Sequence, residues 1–294
     1  MNSFSVLDTL LERQSFKSYE DFVENYKVNI PPKFNFGTDV VDVIAKEDPD
    51  RRAMVWCDDH DEEIIFSMAD IARLSDKAAN WFQSQGIGKG DAVMLLLRRR
   101  WEYWAAVVGL HKIGAIAIPA TMMLKKHDLV YRFNVGHVKM ALAVNDPVLK
   151  QSLAEAAEET GMKKIAVCGL GDKTGFIDFN EGLDKAGTTY TKPDLDPAKD
   201  TMLLFFSSGT TGMPKMVKHN FLYPLAHIVT AKFWHCCVPG GLHFTVAETG
   251  WGKASWGKIY GQWMSNCAVL TYDMDRFHAD KVLDVIEKYK VTTF

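Results

Sequence analysis

Short apolar runs alternate with longer helical patterns along most of this chain, and that alternation limits the folds it can adopt. The segments 92–97, 115–118 and 140–144 are continuous apolar runs of strand length. They are separated by helical patterns such as 102–113, which is apolar nearly all round. Strands that are apolar on both faces are typical of parallel sheets covered by helices on both sides. The sequence therefore predicts an α/β fold with mostly parallel sheets flanked by helices.

Capping and turn residues place the other elements in chain order. Ser67 is a predicted helix N-cap, Gly86 ends that helix, and an Asp-rich turn at 58–61 joins the two strands of a hairpin. The remaining predicted elements are helices at 5–26, 38–46, 126–133, 148–160, 220–236, 257–264 and 279–290, and strands at 164–168, 201–206, 242–246 and 268–272.

The last residues indicate an unfinished structural unit. Residues 291–294 have the pattern of the first half of another strand, which a parallel strand–helix–strand crossover needs. The chain is therefore interpreted as an incomplete N-terminal domain. Its predicted parts are a helical extension at 1–37, a first α/β subdomain at 38–190 and the start of a second at 200–294, with no C-terminal domain.

Composition excludes some classes of function. The 294 residues are 47% hydrophobic and 24% charged, which is ordinary for a globular protein. A net charge of -3 provides no basic field for nucleic acid. Five cysteines without a Cys-x-x-Cys pair fit free thiols in a reducing compartment. The sequence contains neither a signal-peptide pattern nor an uninterrupted transmembrane segment, so we expect a cytoplasmic protein.

A loop rich in small donors follows the predicted strand 201–206. The carboxyl end of such a strand is where ligands bind in open α/β sheets. Small residues let backbone N–H groups converge on an anion, and a lysine adds positive charge, so the loop predicts a phosphate site. It is not the Walker pattern, because Pro precedes the lysine and Met follows it. An ordinary flexible surface loop is the alternative. The predicted phosphate-binding residues are Ser207, Ser208, Gly209, Thr210, Thr211, Gly212, Met213, Pro214 and Lys215.

Two other clusters are interpreted as structural. Gly169, Gly171 and Gly175 have the spacing G-x-G-x-x-x-G, one residue too long for the dinucleotide fingerprint, so an ordinary turn is expected. The segment 235–237 reads His-Cys-Cys. Neighbouring side chains on a helix diverge by about 100°, so these three are not expected to bind one metal ion. Burial of both thiols is predicted instead, and no metal site is assigned.

At the donor-rich loop, the sequence resembles the AMP-forming adenylate superfamily, which includes acyl-CoA synthetases, peptide-synthetase adenylation domains and luciferases. "SSGTTGMPK" matches the phosphate-loop signature of that superfamily position by position. "KGDAVMLLL", "HKIGAIAIPATMMLKKHDLVYR" and "VAETGWGKASWGKIYGQW" resemble the branch that activates acetate and short- to medium-chain fatty acids. The resemblance covers essentially the whole chain.

That resemblance implies a reaction and its participants. A carboxylic acid would attack ATP, release pyrophosphate and form an acyl-adenylate, from which coenzyme A would displace AMP. Residues 207–215 would hold the β- and γ-phosphates, and Mg²⁺ would help to neutralise them. The adenine and ribose motifs and the adenylation lysine of the family come later than residue 294, so no catalytic residue is assigned. The isolated chain is expected to be inactive.

The resemblance also places an acyl pocket in the segment "ETGWG". The implied pocket residues are Thr249, Gly250, Trp251 and Gly252, with the indole as the wall. Trp251, Trp256 and Trp263 could instead be core aromatics. Glu248 is given no acid–base role, and Met123 none in binding the nucleotide, because a thioether cannot donate a hydrogen bond.

The expected partners are therefore small molecules: a carboxylic acid, ATP and coenzyme A, without nucleic acid. Self-association is left open. Two alternatives remain open as well. The chain could belong to an enzyme that adenylates another carboxylate, such as an aryl acid. It could also be a non-catalytic module that binds a nucleotide or a protein partner.

Overall fold

The computed structural model describes residues 4–207 and 212–294, and the strands in these ranges form two sheets. Sheet A has seven strands in the order β7-β6-β5-β3-β4-β8-β9, and sheet B has four in the order β10-β11-β1-β2. The strands are β1 Arg52–Asp58, β2 Glu63–Ser67, β3 Ala92–Leu96, β4 Ile116–Pro119, β5 Val138–Val144, β6 Ile165–Cys168, β7 Ile177–Asp178, β8 Thr201–Ser207, β9 Lys215–Asn220, β10 Leu242–Phe244 and β11 Ala268–Asp273.

Helices cover the sheets and connect their parallel strands. Two π-helical turns, Gly37–Val41 and Thr230–Trp234, each continue directly from or into an α-helix. The α-helices are α1 Leu7–Leu10, α2 Tyr19–Asn25, α3 Asp42–Glu47, α4 Met68–Ser84, α5 Glu102–Lys112, α6 Lys126–Val135, α7 Pro147–Thr160, α8 Phe179–Lys185, α9 Tyr223–Val229, α10 Gly252–Gly257, α11 Tyr260–Met264 and α12 Ala279–Tyr289.

Both sheets are mostly parallel, which confirms the predicted fold class. In sheet A every neighbouring pair is parallel except β8 with β9. In sheet B the antiparallel pair is the β1–β2 hairpin, and β11 pairs in parallel with both β1 and β10. The residues 291–294 also begin to pair in parallel, since Thr293 bridges to His243 on β10.

The two sheets do not divide at the predicted subdomain boundary, because each contains strands from both sides of it. The strands β8 and β9, which lie in the range 200–294, complete sheet A. The hairpin β1–β2, which lies in the range 38–190, forms one side of sheet B. The chain therefore contributes early and late segments to sheet B, and sheet A runs across the boundary. The division into subdomains stays a prediction.

One predicted helix is wrong, and another is present with a later start. The helix predicted at 5–26 is interrupted, because Leu11 pairs with Val28 as an extended bridge and Ser18 caps a separate helix by accepting from the Asp21 N–H. The helix predicted at 220–236 begins later, because a strand, β9, precedes it. That strand is "KMVKHN", a largely exposed edge strand without the apolar run on which the strand predictions depended.

The core between the two sheets contains α5, whose residues are all buried, as its apolar sequence predicts. One continuous apolar cluster joins Trp56 and Val269 of sheet B with Leu95 and Leu142 of sheet A. The Trp104 indole on α5 donates to the Lys258 carbonyl at 2.9 Å. None of the helices in the described ranges is both long and apolar enough to cross a lipid bilayer.

Candidate functional site

The carboxyl ends of β3, β4 and β8 lie side by side at one edge of sheet A. The strands β4 and β8 are in parallel register at Ala117 and Leu203. Thr121 and Ser207 each lie four residues further along, so the segments that follow both strands leave the sheet at the same level. This edge is where a parallel sheet presents its ligand-binding loops.

The ends of the predicted phosphate loop are fixed by a strand pair. Ser207 is the last residue of β8 and lies opposite Lys215, the first residue of β9. Both side chains are exposed, so the hydroxyl and the ammonium group are accessible at the two ends of the loop. Gly212 has a φ of 119°, a conformation that favours glycine. The other predicted loop residues Ser208, Gly209, Thr210 and Thr211 lie outside the described residues.

Helix α6 supports this loop from one side. The Tyr131 hydroxyl donates to the Pro214 carbonyl at 3.0 Å. The Arg132 guanidinium lies 5.3 Å from the centre of the Phe206 ring, within cation–π range. These contacts hold Phe206, just before the loop, and Pro214, near its end, so the position of the loop depends on the packing of α6.

The segment 248–252 packs against the same edge of the sheet. Thr249 is buried, and both its N–H and its hydroxyl donate to the Arg98 carbonyl, at 2.9 and 2.5 Å. Gly250 lies directly on the chain after β4, where an added Cβ would be 2.3 Å from the Thr121 nitrogen. The predicted acyl segment is therefore attached to the segments that follow β3 and β4, next to β8.

The other two predicted pocket residues are open. The Trp251 side chain is 60% exposed, so it is not a core aromatic, whereas Trp263 is 2% exposed and packs in the core. An added Cβ on Gly252 would contact nothing within 4 Å. An exposed indole followed by an open glycine leaves space for a ligand.

Glu248 links the acyl segment to the loop after β4. Its carboxylate accepts from the Thr121 hydroxyl at 3.1 Å and from the Met122 N–H at 3.2 Å. Both bonds hold the two segments together. The Met123 side chain is 76% exposed at the same edge.

A buried charged cluster below this edge was not predicted from the sequence. The Arg98 guanidinium lies 2.8 Å from the carboxylate of Asp273, which is 7% exposed. Lys258 is 1% exposed, and its Nζ has no hydrogen-bond partner among the described residues. Burial, together with the positive charge of Arg99, lowers the pKa of Lys258 to about 7. The only signal in the sequence is a lysine inside the mostly apolar stretch 254–264.

The segment 235–237 differs from its prediction. Cys237 is buried, but Cys236 is exposed, so the expected burial of both thiols is wrong. The π-helical turn ends at Trp234, and the chain then turns at Cys236, whose φ of 54° lies in the left-handed region. That turn aims the two thiols in different directions. The same turn brings the ligand atoms of His235 and Cys237 within 4.8 Å of each other and of His243 on β10.

Comparison with known proteins places the chain in a family. The family described as "AMP-binding enzyme" matches residues 41–294. The chain belongs to this family. The resemblance to the adenylate superfamily is thereby confirmed.

Several AMP-binding relatives are acyl-coenzyme A synthetases. Acyl-coenzyme A synthetase ACSM3, mitochondrial, from Homo sapiens is 28% identical over 288 residues, which are 96% of this chain and 49% of that protein. Acyl-coenzyme A synthetase ACSM5, mitochondrial, from Homo sapiens is 28% identical over 271 residues, which are 90% of this chain and 46% of that protein. The chain thus spans about half the length of these relatives.

Solved structures share the fold. An acyl-CoA synthetase from Brucella canis has a TM-score of 0.83 at 21% identity, over 94% of this chain and 51% of that one. The anthranilate CoA ligase AuaEII, in complex with anthranoyl-AMP, has a TM-score of 0.74 at 22% identity, over 90% of this chain and 49% of that one. The α/β arrangement is therefore that of adenylate-forming enzymes.

Proposed function

We propose that the protein carrying this chain activates a short- to medium-chain fatty acid with ATP. The product is an acyl-CoA, formed through an acyl-adenylate with release of pyrophosphate and AMP. The observation that carries this proposal is the phosphate-loop signature at the carboxyl edge of sheet A, beside the segment 248–252. Membership of the AMP-binding family and the acyl-coenzyme A synthetases among its relatives support it.

The loop suits the first step of this reaction. A carboxylate does not react with a thiol directly, because its leaving group would be an oxide. Attack of the carboxylate on the α-phosphorus of ATP forms a new P–O bond and expels pyrophosphate, so negative charge accumulates on the leaving group. Lys215 and the loop donors would hold and neutralise that charge. Mg²⁺, when bound with the nucleotide, supplies further charge neutralisation.

The segment 248–252 suits the acid. Thr249 and Gly250 fix the segment on the loops after β3 and β4, and the exposed Trp251 indole would form the wall of the acyl pocket. Burial of each methylene stabilises a bound acid by about 0.8 kcal/mol, so a wall at a fixed depth selects chain length. The subsequent transfer consumes coenzyme A and releases AMP.

Pyrophosphate exchange with a panel of acids tests the proposal on the full natural polypeptide. We expect incorporation of labelled pyrophosphate into ATP with acetate to octanoate, and acyl-CoA formation when coenzyme A is added. Faster exchange with benzoate or anthranilate than with any fatty acid would favour the aryl-acid alternative. Nucleotide binding without exchange with any acid would instead favour a non-catalytic module.

Two finer proposals are tested separately. The isolated 294-residue chain should release no AMP above background, because it spans 49% of a relative such as ACSM3 and by resemblance lacks the adenine contacts and the adenylation lysine. Turnover by the chain alone, measured by AMP release, would contradict this.

We also propose a cytoplasmic location, although several relatives are named as mitochondrial. Cell fractionation with an antibody to the chain decides that point.

A further inference from the structure

Three metal-ligand side chains converge where the end of a helix meets sheet B. His235 and Cys237 follow the π-helical turn Thr230–Trp234, and His243 comes from β10. Their ligand atoms all lie within 4.8 Å of one another. In a tetrahedral zinc site with bonds of about 2.0–2.3 Å, such atoms are about 3.3–3.7 Å apart, so a contraction of roughly 1 Å would complete the geometry.

Both imidazoles make a hydrogen bond through Nδ1. His243 Nδ1 lies 2.8 Å from the Thr293 hydroxyl, and His235 Nδ1 lies 3.1 Å from the Gln262 side-chain amide. No residue in the described ranges hydrogen-bonds to either Nε2. A metal-binding histidine typically uses one ring nitrogen for the metal and the other for such a partner, which fixes its orientation.

The Gln262 amide has an unsatisfied atom that suits this arrangement. Its Oε1 is buried and has no partner among the described residues. Turning the amide by 180° would place this oxygen towards His235 Nδ1, at the loss of the hydrogen bond that the amide nitrogen donates to the Trp256 carbonyl at 3.3 Å. With the oxygen towards His235, it accepts from Nδ1–H, and the Nε2 lone pair is then free for a metal ion.

The charges around the cluster favour a thiolate ligand. The positive charges of Lys253 and Lys258 both act on His243 and oppose a bound cation. A site here therefore needs an anionic ligand, and a Cys237 thiolate would provide it.

The side chains have room to reorient. A cavity of about 390 Å³ adjoins the cluster and is lined in part by His235, His243, Thr245 and Trp256. The two imidazole rings are stacked with centres 4.5 Å apart. A metal ion binds in the plane of an imidazole, so the rings would rotate apart towards this cavity, which also offers space for a water ligand.

We propose that His235, Cys237 and His243 form a Zn²⁺ site whose fourth ligand is water from the cavity. Zinc fits because it takes mixed nitrogen and sulfur ligands in tetrahedral geometry. The bound ion would join the end of the π-helical turn to β10. This connection lies a few residues before the segment 248–252, so the ion would fix the chain that leads into that segment.

Metal titration of the full natural polypeptide tests the site. The protein is purified without a histidine tag, treated with EDTA, and titrated with Co²⁺ and then Zn²⁺ in the presence of a phosphine reductant. We expect one Co²⁺ per chain, with a thiolate charge-transfer band and tetrahedral visible bands that Zn²⁺ displaces. Cys237→Ser should abolish the charge-transfer band, and Thr293→Val should weaken binding about 10–100-fold.

Matched variants separate the site from adventitious binding. Cys236→Ser removes the adjacent exposed thiol, and His127→Ala removes an exposed histidine on α6; both should bind Co²⁺ like the unmodified protein. His243→Ala should also weaken Co²⁺ binding. If circular dichroism shows that this variant does not fold, His235→Ala takes its place, because that residue is only partly buried. Absence of the charge-transfer band in the unmodified protein, or equal losses in the control and site variants, would overturn the proposal.

Discussion

At the scale of single residues, the edge of sheet A separates side chains fixed by bonds from side chains that are free to meet a ligand. Glu248 and Thr249 use their polar groups on neighbouring segments. Lys215 and Trp251 are exposed at the same edge, so their substitution removes little from the folded structure. Variants of the exposed pair therefore report on ligands, and variants of the bonded pair report on stability.

Lys215→Ala should slow acid-dependent pyrophosphate exchange about 10²-fold or more, because it removes a charged donor from the developing pyrophosphate. The free energy of unfolding should change by less than about 0.5 kcal/mol, because the side chain is exposed. Lys218→Ala, in the same strand and also exposed, is the control and should retain normal exchange. Equal exchange rates in all three proteins would remove Lys215 from the phosphate site.

Trp251→Gly should shift acid preference towards longer chains. Removal of the wall admits further methylenes, each worth about 0.8 kcal/mol, or about fourfold in specificity. Relative kcat/KM values for acetate to octanoate measure the shift. Trp234→Gly, which removes another largely exposed indole, is the control. An unchanged specificity profile together with lower stability would mean that the indole supports the fold and not the substrate.

His111 should make stability depend on pH. It is fully buried and bonded to the Tyr260 hydroxyl at 2.8 Å, and burial lowers its pKa from 6.5 to about 3. Between these two pH values the unfolded chain binds a proton at His111 that the folded chain does not. The contribution of His111 to the free energy of unfolding is therefore fully present above about pH 6.5 and decreases as the pH falls towards 3. When the pH is lowered from 7 to 5, the free energy of unfolding of His111→Gln should decrease by about 2 kcal/mol less than that of the unmodified chain, as measured by urea unfolding. Parallel losses in the two proteins would contradict this assignment.

At the scale of elements, the segment 248–252 contains two glycines with opposite surroundings. An added Cβ at Gly250 would lie 2.3–2.5 Å from backbone atoms of Ala120 and Thr121, whereas at Gly252 it would meet nothing within 4 Å. Gly250→Ala should therefore destabilise the fold by about 1–3 kcal/mol, as overpacking does, while Gly252→Ala should change it by less than about 0.5 kcal/mol. Urea unfolding compares the two. Similar midpoints for both variants would mean that the segment is free to move away from β4.

Elements were predictable where local pattern and tertiary packing agree. The capping box of α4, in which Ser67 and Asp70 bond reciprocally to each other's backbone N–H, was visible as a serine before a helical pattern. The strand β9 was not visible, because half-exposed edge strands need no apolar run and this one is defined by its pairing with β8. The proximity of His243 to His235 was also hidden, since it depends on how β10 lies against the preceding π-helical turn. The sequence could place the predicted phosphate loop after a strand, but only the contacts of Thr249 with Arg98 and of Gly250 with the chain after β4 put the segment 248–252 beside it.

At the scale of the whole molecule, the two sheets share one apolar cluster and are also linked by hydrogen bonds between distant segments. The Trp56 indole on sheet B donates to the Arg99 carbonyl after β3 at 2.9 Å. The Trp104 indole on α5 donates to the Lys258 carbonyl, also at 2.9 Å. Because neither sheet can expose its side of the cluster without exposing the other, we expect the chain to unfold as one unit, although chains of this length often unfold through intermediates.

Trp104→Phe tests that coupling. It removes the bond to Lys258 and leaves a buried carbonyl without its donor, which costs about 1–3 kcal/mol. If the sheets unfold together, urea transitions followed by far-ultraviolet circular dichroism and by tryptophan fluorescence should coincide in the unmodified 294-residue chain and should move together in the variant. Trp234→Phe is the matched control, because that indole is 70% exposed. Its free energy of unfolding should stay within about 0.5 kcal/mol of that of the unmodified chain. Separate transitions for the two probes would show that the sheets unfold independently, and the shared cluster would then be a contact between two units and not a common core.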